Sequence, residues 1–280
     1  FIGSDTLVKF LTQTLPLGET VFLRGVVASA LVAIVVLWTG SWREWRSLFE
    51  TRMALRIVGE LGATVGYLVG LVHMPIANAT AVFQATPLVM TACAAVFLGE
   101  KVGPARWVAI AIGLCGVMVI VRPGLEGFDV WSLAILAAVA SVALRDISTA
   151  RISAHTPTSL VTFATAITVT GLGLAMMPFE AYIGRHVEWT RPTSFEAAMV
   201  VLNALALLGG YVGMLVATRL AETSAIAPFR YALLVWAFIF GVVVFGQYPD
   251  MPTLVGAAIV VVTGLYSFHR ERSTRSAPDA

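Results

Sequence analysis

The chain has 280 residues, of which 58% are hydrophobic and 12% charged, and its formal net charge is +2. Soluble domains carry about a quarter charged residues, so this composition excludes an ordinary soluble enzyme, a disulfide-rich secreted scaffold and a disordered chain. The small net charge and the lack of a basic stripe argue against a nucleic-acid surface. The composition is typical of an all-α polytopic membrane protein, in which each membrane-crossing helix takes about 20 residues.

Apolar runs separated by Gly, Pro and charged residues predict ten transmembrane helices joined by short loops. Their predicted bounds, in chain order, are 1–14, 17–39, 53–74, 76–98, 104–121, 130–151, 157–178, 194–218, 223–246 and 253–268. Cys93 and Cys115 both fall inside apolar runs. We interpret them as small core residues, because their spacing fits neither a disulfide framework nor a metal site.

Basic residues gather on one side of this predicted topology. Twelve Lys and Arg residues near helix ends fall on one side, and only Arg122, Arg185 and Arg191 fall on the other. Loops rich in Lys and Arg stay in the cytoplasm. The sequence therefore predicts a multi-pass protein of the bacterial inner membrane with both termini in the cytoplasm.

The two halves of the chain resemble each other. The dipeptide Gly-Tyr at 66–67 recurs at 210–211, and the segment 77–81 resembles the segment 221–225 at the same offset. Each half contains five predicted helices, and an odd number gives the halves opposite orientations in the membrane, as in many secondary transporters. The predicted units are a first repeat at 1–125, a second repeat at 126–268 and a cytoplasmic tail at 269–280. The repeat also predicts that about a dozen residues of the first helix lie upstream of residue 1.

Several motifs together resemble the EamA family of the drug/metabolite transporter superfamily. They are the Asp5…Lys9 start, Arg24, the Ala-Asn-Ala-Thr-Ala segment at 77–81 with Pro87 after it, the Gly99-Glu100 exit and the run Ala-Pro-Phe-Arg-Tyr at 227–231. The resemblance covers nearly the whole chain. The sequence departs from the pattern at Gln247 in the second repeat, where the first repeat has Glu100. The resemblance implies ten helices, no bound cofactor, and export of amino acids and other metabolites. Some members of the family take up riboflavin or S-adenosylmethionine.

Five ionisable residues fall at membrane depth: Asp5, Lys9, Arg24, Glu60 and Arg230. Such groups cost about 2.5–3.5 kcal/mol each by insertion scales, so they are candidates for function. Asp5 and Lys9, one helical turn apart, either form a structural network with Arg24 or meet a substrate ammonium and carboxylate. Glu60 either couples transport to protons or pairs with Arg56.

The fourth and ninth predicted helices carry the clearest candidate binding face. Thr80, Gln84 and Pro87 form a polar stripe that either lines a cavity or only marks a bend, and Pro87 leaves the Phe83 carbonyl without its helical hydrogen bond. Arg230 either binds a substrate carboxylate or pairs with an internal acid. The predicted substrate-binding residues are Tyr67, His73, Thr80, Phe83, Gln84, Pro87, Tyr211, Pro228, Phe229, Arg230, Tyr231 and Trp236. His73 has the alternative of a histidine held at a helix interface.

We therefore predict a secondary transporter that exports small metabolites, in particular amino acids including aromatic ones, by alternating access. The alternatives are uptake of a larger metabolite such as S-adenosylmethionine or riboflavin, and an intramembrane enzyme. The enzyme is disfavoured because the sequence has no paired aspartates or clustered histidines for it. The expected partners are a small-molecule substrate and the lipid bilayer; no metal, cofactor or nucleic acid is expected, and a monomer is consistent with the sequence.

Overall fold

The protein is a bundle of helices. The computed structural model describes residues 1–97, 99, 102–124, 128–151, 156–183, 188–220 and 229–275, and this part of the chain contains no strand. The helices are α1 Ile2–Leu11, α2 Leu17–Thr39, α3 Thr51–His73, α4 Ile76–Phe83, α5 Thr86–Phe97, α6 Pro104–Val121, α7 Trp131–Ala150, α8 Thr158–Ala175, α9 Glu180–Ile183, α10 Ser194–Leu220, α11 Ala232–Phe245 and α12 Met251–Arg275. Short 3₁₀ segments lie at Ser41–Phe49 and Met177–Phe179.

Eight helical stretches in the described residues are long and apolar enough to cross a membrane. They are α2, α3, α4 with α5, α6, α7, α8, α10 and α12. The first and ninth predicted helices are represented by shorter elements, α1 with 10 residues and α11 with 14. An all-helical, multi-pass architecture is confirmed, and the count of ten crossings stays a prediction.

The fourth predicted helix is broken near its middle. Helix α4 ends at Phe83 and α5 begins at Thr86, with Gln84 and Ala85 in a turn. Pro87 explains the break, since it has no N–H to give the Phe83 carbonyl and its ring crowds that carbonyl. The Thr86 hydroxyl donates to the Phe83 carbonyl instead, at 2.5 Å. The carbonyl that the sequence predicted to be available therefore has a partner.

Glycines allow α3 to pack directly against α7. A Cβ at Gly66 would lie 2.5 Å from the Ala134 carbonyl oxygen, and one at Gly59 would lie 2.7 Å from the Arg145 backbone nitrogen. In a membrane, small residues let two backbones approach closely, which replaces the hydrophobic driving force available in water. Gly59 and Gly66 therefore belong to a helix-packing face of α3.

In two further helix pairs, a glycine likewise lets the two backbones approach closely. A Cβ at Gly173 of α8 would lie 2.5 Å from the Phe22 backbone nitrogen of α2. A Cβ at Gly256 of α12 would lie 2.5 Å from the Gly116 carbonyl oxygen of α6. Each of these three pairs joins one helix from the first half of the chain to one from the second, so the halves are closely interlocked.

The outer surface of the bundle is strongly apolar. Trp38 is 92% exposed, and Cys115 is also exposed. The prediction that Cys115 is a core residue is therefore wrong, while Cys93 is half-buried. In a bilayer an apolar side chain gains little by leaving the lipid, so an apolar run does not indicate which residues face the protein interior.

Candidate substrate-binding site

A half-buried carboxylate, that of Asp5, lies where α1 meets α3. The Tyr67 hydroxyl of α3 donates to Asp5 Oδ2 at 2.9 Å. Arg24 of α2, only 7% exposed, interacts electrostatically with Asp5. The carboxylate has lone pairs beyond the one used by Tyr67, so it can accept hydrogen bonds from a substrate ammonium.

Helix α1 is held in this position from its other side by α10. Asn203 Nδ2 donates to the Ser4 carbonyl at 2.8 Å, and both side chains are fully buried. A buried amide needs such a partner, because an unsatisfied polar group inside a membrane protein is costly. Asn203 therefore fixes the turn of α1 that carries Asp5.

Two aromatic rings form a wall beside the carboxylate. The ring centroids of Tyr67 and Phe83 are 4.7 Å apart with their planes at 51°. Thr80, one turn before Phe83 on α4, is buried next to Tyr67. Its hydroxyl oxygen has no hydrogen-bond partner of good geometry in the described part of the chain. The wall thus offers a flat apolar surface and one polar group.

The break between α4 and α5 touches the segment that leads into α11. Gln84 Nε2 donates to the Arg230 carbonyl at 3.0 Å, and Gln84 is 6% exposed. Pro87 is half-buried in the first turn of α5. The structure thus brings together five of the predicted residues, namely Asp5, Tyr67, Thr80, Phe83 and Gln84, with the backbone of Arg230.

Other predicted binding residues lie apart from this cluster. Phe229 and Trp236 are 75% and 52% exposed, and the Arg230 side chain is exposed with no acidic partner among the described residues. Tyr231 is 5% exposed, and its hydroxyl occupies the space that a Cβ on Gly264 of α12 would need. Pro228 lies outside the described residues.

His73 and Tyr211 occupy two different helix interfaces. The His73 ring stacks on Trp131 of α7, with centroids 3.8 Å apart, and its Nδ1 lies 2.8 Å from the Val69 carbonyl. This is the interfacial alternative that the sequence left open for His73. Tyr211 of α10 is 44% exposed, and its ring lies 5.5 Å from that of Phe1.

Glu60 forms its ion pair with a residue from a distant part of the chain. Arg145 of α7 lies 3.3 Å from Glu60 Oε2 and 2.7 Å from Asp146. Arg56, the partner predicted from the sequence, instead donates to the Thr165 hydroxyl at 2.6 Å, although its charge acts on Glu60. The glycine face of α3 brings Arg145 close, which no local sequence signal indicates.

Lys9 lies at the opposite end of α3 from Arg56. Its ammonium donates to the carbonyls of Leu71 and Met74 at 2.6 and 2.5 Å, and it lies 5.8 Å from the centre of the Phe245 ring. The last carbonyls of a helix have no partner within it and attract cations. Lys9 therefore stabilises the end of α3, a role that the sequence pattern did not reveal.

Helices of membrane-spanning length around a half-buried carboxylate and an aromatic wall indicate a multi-pass membrane protein with a candidate substrate site. Residues 3–122 match the EamA-like transporter family. The chain belongs to this family, and the resemblance seen in the sequence is confirmed.

Its relatives are transporters of several substrates. The chain is 28% identical to the S-adenosylmethionine uptake transporter of Rickettsia conorii over 274 residues, which cover 96% of this chain and 89% of that protein. It is 26% identical to the riboflavin transporter of Rhizobium johnstonii, over 84% of this chain and 73% of that protein. It is 26% identical to the pseudopaline exporter CntI of Pseudomonas aeruginosa, over 94% of this chain and 89% of that protein.

Solved structures are also similar, and one crystal structure among them illustrates the likeness. It covers 98% of both chains with a TM-score of 0.60 at 22% sequence identity. At this identity the likeness concerns the fold alone.

Proposed function

We propose that the protein is a secondary transporter of the bacterial inner membrane that exports amino acids, including aromatic ones, by alternating access. Both termini lie in the cytoplasm, and the ten helices form two inverted repeats at 1–125 and 126–268, followed by the tail at 269–280. No enzymatic step belongs to this function. The transported group is a small zwitterion, and its binding site is the cluster around Asp5.

The Asp5–Tyr67 pair is the observation that carries this proposal. A carboxylate at membrane depth is costly, and such groups are found where they pair with an opposite charge or lie on the path of a substrate. The ammonium of an amino acid is such a charge, and the rings of Tyr67 and Phe83 beside Asp5 suit an aromatic or other flat side chain. The exposed guanidinium of Arg230 is the proposed partner of the substrate carboxylate when the cavity rearranges. Tyr231, Phe229, Pro228 and Trp236 are proposed to line its path.

The pairing of helices supports the inverted repeat. The second helix of each predicted half, α2 and α8, pack together, as do the fourth helices α4 and α11 and the fifth helices α6 and α12. The pair α3 with α7 has its counterpart in the pair α10 with α1. Every one of these contacts is the contact expected when a two-fold axis in the membrane plane relates the halves.

A second candidate substrate is S-adenosylmethionine, moved inward. The relatives from four Rickettsia species carry that name and align over 96–98% of this chain. S-adenosylmethionine also ends in an amino-acid group and carries a flat ring system, so the same carboxylate and aromatic wall suit it. The two candidates differ in size and in net charge.

Flux into proteoliposomes tests the proposal. Vesicles with the purified protein are expected to transport labelled phenylalanine, or labelled S-adenosylmethionine, faster than protein-free vesicles. Repeating the measurement with an imposed pH gradient shows whether this transport is coupled to protons. Tyr67→Phe removes the hydrogen bond to Asp5 and is expected to lower flux about tenfold, as for one hydrogen bond to a charged group. Tyr248→Phe makes the same chemical change at an exposed loop residue and is expected to leave flux unchanged. Equal flux in the two variants would contradict the proposed site.

A further inference from the structure

The segment that joins α2 to α3 contains the dipeptide Trp-Arg twice. It runs from Ser41 to Phe49 as a 3₁₀ helix with a kink at Glu44, and the dipeptide stands at 42–43 and 45–46. Residues three apart share a face of a 3₁₀ helix, so the repeat places both indoles on one face and both guanidiniums on the next. The two tryptophans are 51% and 52% exposed, which agrees with equivalent positions. We call Ser41–Phe49 the Trp-Arg segment.

The Trp-Arg segment lies at the edge of the bundle. None of its nine residues is fully buried, and Leu48 packs against the cluster of Val32, Val36 and Leu160. The segment follows α2, which ends at Thr39 and is long and apolar enough to cross a membrane. Tryptophans at the end of such a helix are typical of the level of the lipid head groups. The segment is therefore placed to meet the polar surface of the bilayer.

Two exposed arginines of this segment lie over aromatic rings. The Arg43 guanidinium lies 5.8 Å from the centre of the Trp42 ring, and that of Arg46 lies 5.9 Å from the centre of the Trp45 ring. Neither arginine forms an ion pair with an acid in the part of the chain that the structure describes. A guanidinium over a ring keeps its N–H donors in its own plane, where they can bind a phosphate. The acid of the segment, Glu44, belongs to the third face of the 3₁₀ helix.

An apolar groove on α2 adjoins the Trp-Arg segment. It has a volume of about 520 Å³ and is lined by Ile34, Leu37 and Trp38, which are 62%, 67% and 92% exposed. These positions share one face of the helix because they are three and four residues apart. Trp38 precedes Arg43 by only five residues, so the groove ends close to the two arginines. We call it the Trp38 groove.

We propose that the Trp38 groove and the Trp-Arg segment together bind one anionic phospholipid, with an acyl chain in the groove and the phosphate between Arg43 and Arg46. The apolar groove suits hydrocarbon, and the arginines at its end suit a negatively charged head group. A second copy of the chain suits this surface less well, because two-fold symmetry would bring the same arginines of both copies together. The site is separate from the Asp5 cluster, and the proposal holds whichever substrate is transported.

Native mass spectrometry of the purified protein in detergent tests this site. The protein is titrated with phosphatidylglycerol and, separately, with phosphatidylcholine of the same acyl chains. One phosphatidylglycerol per chain is expected to bind, about tenfold more tightly than phosphatidylcholine. The double variant Arg43→Gln with Arg46→Gln is expected to lose this preference. The double variant Arg191→Gln with Arg270→Gln removes the same charge from exposed positions elsewhere and is expected to bind as the wild type does.

Two further measurements separate a lipid from other occupants. Trp38→Ala removes one wall of the groove and is expected to weaken phosphatidylglycerol binding about fivefold. Glycerol 3-phosphate, which has the charged group without acyl chains, is expected not to displace the lipid at equal concentration. Thermal unfolding is expected to be the same in all variants, because every substituted side chain is exposed.

Four results would overturn the lipid site. They are equal binding of the two lipids, unchanged binding in the Arg43 and Arg46 double variant or in Trp38→Ala, displacement by glycerol 3-phosphate, and a dimer whose formation excludes the lipid. Displacement by glycerol 3-phosphate would mean that the arginines bind a small anion. A dimer that excludes the lipid would mean that a second copy covers the groove.

Discussion

Glu180 shows how a single side chain holds the start of a membrane helix. It lies in the short helix α9, is fully buried, and accepts the Gly18 N–H of α2 at 2.5 Å through Oε1. Burial raises the pKa of Glu180, as does the nearby charge of Glu19, while the backbone N–H groups of Gly18 and Leu17 act in the opposite direction. Helix α2 follows Pro16 and has no side-chain cap of its own at that residue. Glu180 therefore supplies the cap from a distant part of the chain.

We expect Glu180→Ala to destabilise the protein by about 1–3 kcal/mol, because it leaves a buried N–H without an acceptor. Glu180→Gln keeps an acceptor oxygen and is expected to cost less. Since the folded pKa is raised, the folded state holds the proton more tightly than the unfolded state. The wild type is therefore expected to be most stable relative to Glu180→Gln below pH 4.5, the ordinary value of this carboxyl group, and to lose that advantage as pH rises through the raised pKa. Thermal unfolding of both proteins in detergent between pH 4 and 8 measures this, and parallel curves would contradict it.

The ionisable residues themselves could be predicted from the sequence, but their partners could not. Asp5, Lys9, Arg24 and Glu60 stand out because charge is rare in apolar runs. Their partners are a tyrosine hydroxyl, two helix-end carbonyls and an arginine of α7. These contacts join helices that are distant in the chain, so no local spacing indicates them.

At the scale of helices, the contact between α3 and α7 depends on the absence of side chains. Gly66→Ala would place a methyl group 2.5 Å from the Ala134 carbonyl oxygen, so one helix has to move. We expect a loss of about 1–3 kcal/mol, as for other overpacked interiors. Gly171→Ala is the matched control, since a Cβ there meets nothing within 4 Å and lowers the conformational entropy of the unfolded chain.

Unfolding of the two glycine variants by heat or denaturant in detergent gives the comparison. Gly66→Ala is expected to unfold earlier than the wild type, and Gly171→Ala at the same point or later. A Gly66→Ala variant as stable as Gly171→Ala would mean that α3 and α7 are not as close as described.

Helix positions followed well from the sequence, since length and apolarity are local properties. The predicted bounds of 17–39 and 104–121 coincide with α2 and α6. The fourth helix was predicted as one piece, although Pro87 within it marks the break that the structure has at Gln84 and Ala85. Whether a proline bends a helix or interrupts it depends on a partner for the freed carbonyl, and here the Thr86 hydroxyl donates to the Phe83 carbonyl. The Gln84 side chain, in the turn, donates to the Arg230 carbonyl.

For the whole molecule, the distribution of basic residues predicts which end faces the cytoplasm. The exposed residue Glu44 lies in the 3₁₀ segment between α2 and α3, and exposed Tyr248 lies at the opposite end, between α11 and α12. In a variant with Cys93 and Cys115 replaced by Ala, a single cysteine at 248 is expected to react with a membrane-impermeant maleimide in intact spheroplasts. Glu44→Cys is expected to react only after permeabilisation. The reverse pattern would invert the orientation.

The glycine contact between α3 and α7 also has a consequence for synthesis. Helix α3 is complete at His73, but α7 is complete only at Ala150, about 77 residues later. At translation rates of about 5–20 residues per second, α3 waits on the order of 4–15 s in the bilayer before its partner emerges. During that interval its row of small residues faces lipid or the insertion machinery. A ribosome pause before residue 150 would therefore prolong the time during which the nascent chain lacks the contact between α3 and α7. During that time the chain is accessible to membrane proteases.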